Sequence, residues 1–312
     1  MNCKGLSLMS GGLDSQLAVR VLQGAGAEVE AVCFETPFFK ADGARKAAAA
    51  LGVKLHVVDF TEDEVALVEN PPHGFGGAMN PCIDCHATMI RRAGELMERL
   101  GFDFVATGEV RGQRPMSQNA QSLLTVEKAS GLKGRLVRPL SAKLLAPTVP
   151  ELEGRLDRER LLDISGRSRE RQIALAKEFG IADYPSPAGG CKLTEEAYGR
   201  KLKDLMEHEG LRDAATGAVN RALLELLTVG RRFRLPGGSS VILGRDGREN
   251  ALLEKGSFAV LLKPTNGIVG PTAAIPVLAS ESDRPLAQAL VNAYVRGTTP
   301  DDRSAFRPFQ IL

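Results

Sequence analysis

Leu6-Ser7-Leu8-Met9-Ser10-Gly11-Gly12-Leu13-Asp14-Ser15, close to the start of the 312-residue chain, is the stretch that decides the fold. The apolar run up to Met9 predicts a buried strand, and apolar residues at helical spacing from Leu17 to Leu22 predict a helix. Two glycines at this turn allow backbone N–H groups to approach a ligand closely. The helix N-terminus favours a negatively charged ligand. The turn is therefore a predicted anion site, although an ordinary βα turn capped by Ser10 has the same outline.

The complete string from Ser10 to Ser15 is more specific than a glycine pair. It resembles the PP-loop of the ATP pyrophosphatase superfamily, whose members cleave ATP between the α and β phosphates. The loop has no Lys, so the Walker pattern of P-loop ATPases is not met. The resemblance implies an ATP site formed by Ser10, Gly11, Gly12, Leu13, Asp14 and Ser15, with Asp14 also catalytic and close to Mg²⁺.

The overall composition is that of an ordinary globular protein, with 43% hydrophobic and 25% charged residues. A length of 312 residues suggests one to three domains. Without a long apolar run or a signal segment, we expect a cytoplasmic protein that does not enter a membrane. The net charge of +2 gives no argument for nucleic-acid binding.

Strand and helix patterns alternate after the first loop. Strands are predicted at residues 27–34, 54–58 and 104–107, with a helix at 41–51. This alternation predicts an α/β fold, a parallel sheet with helices on both faces. Ligands of such sheets bind outside the carboxyl ends of the strands, which puts Phe34 and Thr36 near the bound nucleotide.

Five cysteines in a cytosolic protein indicate metal or redox chemistry rather than disulfides. Cys3 and Cys33 lie in predicted strands and are expected to be buried. Cys82 and Cys85 follow a Pro- and Gly-rich loop over residues 69–80 and precede a helix predicted over 86–100. A thiol at a helix N-terminus has a lowered pKa. A redox dithiol, half of a zinc site and part of an iron–sulfur site all remain open.

Cys191 is the remaining cysteine in a distinctive setting. Gly189 and Gly190 precede it and would let the backbone bring a thiolate against a bulky group. A zinc site would need a second cysteine pair, which the chain lacks, and His86 is poorly placed as a fourth ligand. Cys82, Cys85 and Cys191 together suit a 4Fe-4S cluster with one open iron. Catalytic cysteines without a metal are the alternative.

A polar loop follows the strand at 104–107 and by itself would pass for a solvated surface loop. Its residues Thr107-Gly108-Glu109, Gln113 and Ser117-Gln118, and then Arg138-Pro139-Leu140, resemble in their order tRNA thiouridine synthases of the ThiI type. Asn80-Pro81-Cys82-x-x-Cys85 resembles the cysteine motif of MnmA-type 2-thiouridylases. The set of three cysteines resembles TtuA-type enzymes, which hold a 4Fe-4S cluster. The chain differs from these families in having no THUMP or rhodanese-like pattern and no additional zinc-binding cysteines.

The resemblance implies ATP-dependent thiolation of tRNA. A uridine carbonyl oxygen would attack the α-phosphate, pyrophosphate would leave, and sulfur would then displace AMP. Gly108, Glu109 and Gln113 would join the ATP site, and Cys82, Cys85 and Cys191 would be catalytic and hold the cluster. Implied cofactors are ATP, Mg²⁺ and 4Fe-4S, and implied partners are tRNA and a sulfur donor, either sulfide or a cysteine desulfurase. The alternatives are a PP-loop sulfurtransferase or amidating enzyme acting on a small molecule, and a zinc-containing RNA- or nucleotide-binding regulator.

The second half of the chain is less informative. Residues 149–183 read as amphipathic helices whose many arginines form either a solvated face or a tRNA-facing surface. We predict domains at 1–210 and 217–312, the second a small α+β domain. Its segment Val241-Ile242-Leu243-Gly244-Arg245, with Glu249-Asn250, resembles the RNA-binding domain of NFACT-type proteins. The alternative is a structural module or one that forms a homodimer.

Overall fold

The computed structural model describes residues 3–115, 117–186, 190–256, 259–277 and 279–312. The chain divides into two compact units, Met1–Lys192 and Leu193–Leu312. This division falls before helix α8 (Glu196–His208), a segment that the predicted boundary near residue 210 assigns to the first domain.

The first unit is built on a five-stranded parallel sheet whose strand order is β3-β2-β1-β4-β5. Its strands are β1 (Cys3–Leu8), β2 (Ala27–Glu35), β3 (Leu55–Asp59), β4 (Phe104–Ala106) and β5 (Leu136–Val137). β1 is central because it pairs with both β2 and β4. The parallel sheet predicted from the alternating pattern is confirmed.

Helices cover both faces of this sheet, as predicted. They are α1 (Leu13–Gly24), α2 (Asp42–Leu51), α3 (Thr61–Glu69), α4 (Cys82–Leu100), α5 (Ala120–Ser130), α6 (Val149–Leu152) and α7 (Glu170–Glu178). One buried core joins Leu17 of α1 to helices α2 and α7. The other joins Ile90 and Met97 of α4 to Val126 of α5. Apolar side chains on both faces explain why the strands read as continuous apolar runs.

Three local predictions were wrong. Helix α4 begins at Cys82 rather than at about residue 86, with Pro81 in the cap position, where the missing N–H of proline removes no intrahelical hydrogen bond. Helices α3 and α5 were not predicted. Residues 149–183, predicted as amphipathic helices, hold the four-residue α6, a 3-10 helix at Arg158–Arg160 and the nine-residue α7.

The second unit is an antiparallel sheet with helices, in agreement with the predicted α+β domain. Its strand order is β10-β6-β7-β9-β8. The strands are β6 (Arg231–Arg234), β7 (Ser240–Leu243), β8 (Ala259–Leu262), β9 (Ala273–Pro276) and β10 (Gln310–Ile311). The helices are α8 (Glu196–His208), α9 (Arg221–Leu226), α10 (Gly247–Glu254) and α11 (Asp283–Ala293). The sequence pattern also predicts a strand over residues 258–262, of which Phe258 lies outside the described residues. In the described part of the chain, none of the helices has the length and apolar character needed to cross a membrane.

Candidate nucleotide and cysteine site

The turn between β1 and α1 requires glycine. Gly11 has a φ of +84°, and a Cβ there would lie 2.4 Å from the carbonyl carbon of Gly43, at the start of α2. Gly12 is the N-cap of α1, and among the described residues no side chain caps this helix. Ser10 instead accepts a hydrogen bond from the Gly12 N–H at 3.3 Å. The first turn of a twelve-residue helix therefore presents its N–H groups at the carboxyl edge of the sheet.

The chain after β4 packs directly on this turn. A Cβ on Gly108 would lie 2.6 Å from both the carbonyl carbon and the carbonyl oxygen of Asp14. Only a glycine allows this contact. Gly108 is thus predicted to matter to the site through its backbone rather than through a side-chain interaction.

Asp14 is held by a chain of two amide side chains. Gln113 donates from Nε2 to Asp14 Oδ2 at 2.7 Å, and Gln172 of α7 donates from Nε2 to Gln113 Oε1 at 3.0 Å. The other carboxylate oxygen of Asp14 is buried and has no hydrogen-bond partner in the described structure. Gln172 was not predicted, because its contact with Gln113 joins residues 59 positions apart.

A second buried amide ties the loop to the segment that leads to Cys191. Gln16 donates from Nε2 to the carbonyl oxygens of Gly11 at 2.9 Å and Asp183 at 3.0 Å. Beyond Cys191, the Lys192 N–H donates to the Phe38 carbonyl oxygen at 3.0 Å, just after β2. Both ends of this segment are therefore fixed at the carboxyl edge of the sheet. Gly189, one of the two glycines predicted to shape it, lies outside the described residues.

Cys82 and Cys85 lie in the first turn of α4, which begins at the same edge. The helix has 19 residues, and just beyond its end Asp103 accepts a hydrogen bond from the backbone N–H of Lys4, at the amino end of β1. Nineteen residues span about 28 Å, enough to return the helix from one edge of the sheet to the other. Before the helix, Asn80 donates from Nδ2 to the Cys82 sulfur at 3.1 Å.

The thiol of Cys85 is buried, and its pKa is raised well above the ordinary value. Burial is the main cause, and the nearby Glu64, Cys191 and Cys82 raise the pKa further. The predicted lowering of the thiol pKa is therefore wrong for Cys85. The same interactions show that Cys82 and Cys191 each lie within electrostatic reach of Cys85. Cys3 and Cys33 are buried in strands, as predicted.

Glu64 of α3 is a buried carboxyl group beside Cys85. Burial raises its pKa to about 7, although the hydrogen bond with Cys85 and the charge of His86 act in the opposite direction. Sequence patterns did not identify this residue. Outside residues 187–189 and the other undescribed positions, no three His, Cys, Asp or Glu side chains form a group that could hold a metal ion.

Glu109 lies at the centre of a buried ionic network after β4. It accepts hydrogen bonds from Arg138 Nε at 2.9 Å and Thr107 Oγ1 at 3.0 Å, and His86 Nδ1 lies 3.5 Å away. Burial by itself would raise the pKa of Glu109, but His86 and Arg138 outweigh it and lower the pKa to about 2. The network joins the helix that carries Cys85 to the end of β4.

The two predicted ATP contacts on β2 have structural partners. The Phe34 ring packs edge-to-face on Phe60, with ring centroids 5.3 Å apart. Thr36 is buried, and its hydroxyl accepts hydrogen bonds from the N–H groups of Phe38 and Phe39. Their assignment to the ATP site stays a prediction.

The loop before Cys82 is fastened to the cysteine motif. Asp84 lies between the two cysteines in sequence, and its side chain is buried. It accepts a hydrogen bond from the His73 backbone N–H at 2.9 Å, and its other carboxylate oxygen lies 2.6 Å from His73 Nδ1. The sequence signal for this contact is the acidic residue inside the Cys-x-x-Cys motif.

A glycine turn and a helix N-terminus at the carboxyl edge of the central strand form the arrangement with which parallel α/β proteins bind nucleotide phosphates. The comparisons with known proteins show a similarity to one family. Residues 1–143 match the model of the ThiI family, described as thiamine biosynthesis protein (ThiI).

Curated relatives match a part of the chain of similar length. A probable tRNA sulfurtransferase of Caldanaerobacter subterraneus subsp. tengcongensis is 32% identical over 148 residues, which are 45% of this chain and 37% of that protein. The tRNA-specific 2-thiouridylase MnmA of Sulfurimonas denitrificans is 37% identical over 120 residues, 35% of each protein. The chain thus spans little more than a third of the length of these relatives.

A solved structure, described as a 4-thiouridine synthetase–RNA complex with bound ATP, aligns with 57% of this chain and 41% of that chain. Its sequence identity is 22% and its TM-score is 0.41, values too low to carry an argument about function.

Proposed function

We propose that the protein is an ATP-dependent tRNA thiouridine synthase that uses an iron–sulfur cluster. One observation carries this proposal: the PP-loop and the segments bearing Cys82, Cys85 and Cys191 lie at the same edge of one sheet. The similarity of residues 1–143 to the ThiI family, and of a slightly longer region to tRNA sulfurtransferases, supports tRNA as the substrate.

The donor atoms match the two implied metal groups in chemical type, whereas the three cysteines, all within the described residues, do not form a group that could hold a metal ion in this structure. The unpartnered Oδ1 of Asp14 is a carboxylate oxygen of the kind that Mg²⁺ prefers, directly or through water. The thiols of Cys82 and Cys191, each within electrostatic reach of Cys85, match together with Cys85 the ligand type of iron–sulfur clusters. When bound by Cys82, Cys85 and Cys191, a 4Fe-4S cluster would supply an open iron for sulfide, and Mg²⁺ would neutralise phosphate charge.

The side chains and backbone of the PP-loop serve the steps that take place on ATP itself. N–H groups in the first turn of α1 stabilise the pyrophosphate as it leaves, because negative charge develops there. Gln113 and Gln172 hold Asp14 in one orientation throughout. The uridine carbonyl oxygen forms a bond to the α-phosphorus of ATP, and sulfur then replaces that oxygen on the base, releasing AMP.

Anaerobic purification followed by iron and acid-labile sulfide analysis tests the cysteine assignment. We expect about four irons per chain in the reconstituted protein. Cys82→Ala, Cys85→Ala and Cys191→Ala should each lower iron content and abolish tRNA thiolation, while ATP binding persists.

Cys33→Ala is the matched control, because Cys33 is a buried cysteine in a strand of the same sheet. It should retain both iron and activity. A colourless protein with one zinc per chain would contradict the cluster, and thiolation that survives any of the three substitutions would remove that cysteine from the site.

A further inference from the structure

Two segments of the first unit together carry five arginines. Arg111 and Arg114 lie in the loop after β4, and Arg167, Arg169 and Arg171 lie at the start of α7; we call these five residues the arginine surface. All are exposed except Arg169, which is half-buried. The only acidic residues within 111–114 and 163–171 are Asp163 and Glu170, so this surface has a surplus of three positive charges.

The backbone joins the two segments side by side. Arg111 and Ser165 form a parallel β-bridge, and the Gly166 N–H donates to the Arg111 carbonyl oxygen at 2.9 Å. The Arg111 N–H donates to Ser141 Oγ at 3.0 Å, and this hydroxyl donates in turn to the Ile164 carbonyl oxygen at 2.7 Å. Arginines from segments about 50 residues apart in sequence therefore belong to one continuous surface.

This surface borders the nucleotide site. Gln113, between Arg111 and Arg114, is the residue that donates to Asp14 at 2.7 Å. Gln172, directly after Arg171, donates to Gln113 at 3.0 Å. The same two amides that orient Asp14 therefore fix both halves of the arginine surface next to the PP-loop.

Neighbouring arginines are engaged in ion pairs and do not belong to this surface. Arg155 lies 2.5 Å from Asp103, and Arg158 lies 2.7 Å from Glu151. In the described part of the chain, by contrast, Arg111, Arg114 and Arg167 have no acidic partner within 4.0 Å.

The remaining two members also keep donors unused. Arg171 pairs with Asp163 at 2.8 Å, but both side chains are more than half exposed, where an ion pair contributes little. The Nε of Arg169 is buried without a hydrogen-bond partner among the described residues. Guanidinium groups that keep N–H donors unused are suited to bind phosphate oxygens in bidentate fashion.

We propose that the arginine surface binds the phosphodiester backbone of the RNA substrate and so brings the target base to Asp14. This inference rests on the proposed function, since it takes RNA as the substrate. Phosphate contacts of this kind position a nucleic acid without reading its sequence. The surface therefore fixes the register of the RNA, whereas the choice of base belongs to other residues.

The test measures binding of a fluorescently labelled, unmodified tRNA transcript at several salt concentrations. The variant Arg114→Gln/Arg167→Gln/Arg171→Gln removes three exposed charges. The control Arg91→Gln/Arg92→Gln/Arg99→Gln removes three exposed charges from α4 of the same unit. Each lost phosphate contact should lower the slope of log K against log[salt] by about 0.9, so we expect a decrease of about 2 to 3 in the first variant alone.

ATP affinity is measured in parallel and should be unchanged in both variants. An unchanged salt slope in the first variant, or an equal decrease in the control, would overturn the arginine surface while leaving the proposed function intact. A wild-type protein that binds ATP but no tRNA would instead refute the proposed function, and with it this inference.

Discussion

Replacement of Arg138 by Met should destabilise the first unit strongly, because Arg138 neutralises a buried carboxylate. Its guanidinium is 3% exposed and donates to Glu109 at 2.9 Å, Glu127 at 3.1 Å and the Leu123 carbonyl oxygen at 3.0 Å. Removing one partner of a buried ion pair costs about 3 to 5 kcal/mol, since the other charge is left uncompensated. With a typical urea dependence, the unfolding midpoint should fall by about 1 to 2 M.

The pH dependence identifies the cause. In the wild type the pKa of Glu109 is lowered to about 2, so its stabilising contribution is present above about pH 4.5 and is lost as the pH falls towards 2. Without Arg138, His86 alone among these two opposes burial, so the pKa of Glu109 should rise and the stability deficit of the variant should shrink as the pH falls from 7 to about 5.

Two further variants complete this test. Arg138→Met/Glu109→Gln should recover most of the loss, because the buried charge is gone. Arg92→Met removes the exposed pair with Asp63 and should cost less than about 1 kcal/mol. Urea unfolding followed by far-UV circular dichroism measures all three variants. An Arg138→Met midpoint equal to that of the wild type, or a deficit that does not change with pH, would refute the reasoning.

Three other changes give measurable outcomes. Gly108→Ala should abolish ATP binding in isothermal titration, because its Cβ would lie 2.6 Å from the main chain of the PP-loop, whereas Gly24→Ala, with open space around it, should bind normally. Asp84→Ala should release the loop fastened through His73, so limited proteolysis should cut residues 70–81 faster; an unchanged rate contradicts this. Wild-type stability should fall as the pH rises from 4.5 to 7, because folded Glu64 keeps its proton up to about pH 7, and Glu64→Gln should flatten that dependence.

The nucleotide half of the fold follows from local sequence patterns. The apolar run before Ser10, the glycine pair and the periodicity of α1 act over fewer than about 20 residues, and each is visible in the chain itself. The alternation of strands and helices then selects a parallel sheet, and with it the edge where ligands bind. These are the features that the structure confirms.

The contacts around the site could not be predicted from local sequence patterns. Gln16 contacts Asp183 across 167 residues, and a buried glutamine has no pattern that distinguishes it from a surface one. The prediction of a lowered pKa for the Cys85 thiol was wrong for a related reason. The helix N-terminus is a local feature, whereas burial against Glu64 of another helix depends on packing.

The arginines of residues 149–183 show both what the local sequence reveals and what depends on tertiary packing. The sequence presents them as a single charged stretch, and the structure divides them into paired side chains such as Arg155 and unpaired ones such as Arg167. This division holds for the described residues, and it depends on partners far along the chain, since Asp103 is 52 residues from Arg155.

Nucleoside analysis of tRNA treated with the reconstituted protein, ATP, Mg²⁺ and sulfide tests tRNA thiolation most directly. Mass spectrometry should detect a thiouridine, formed together with AMP and pyrophosphate in equal amounts, and Asp14→Ala should form none while retaining its iron. Release of ADP and phosphate, or ATP cleavage to AMP without any thiolated nucleoside, would contradict it.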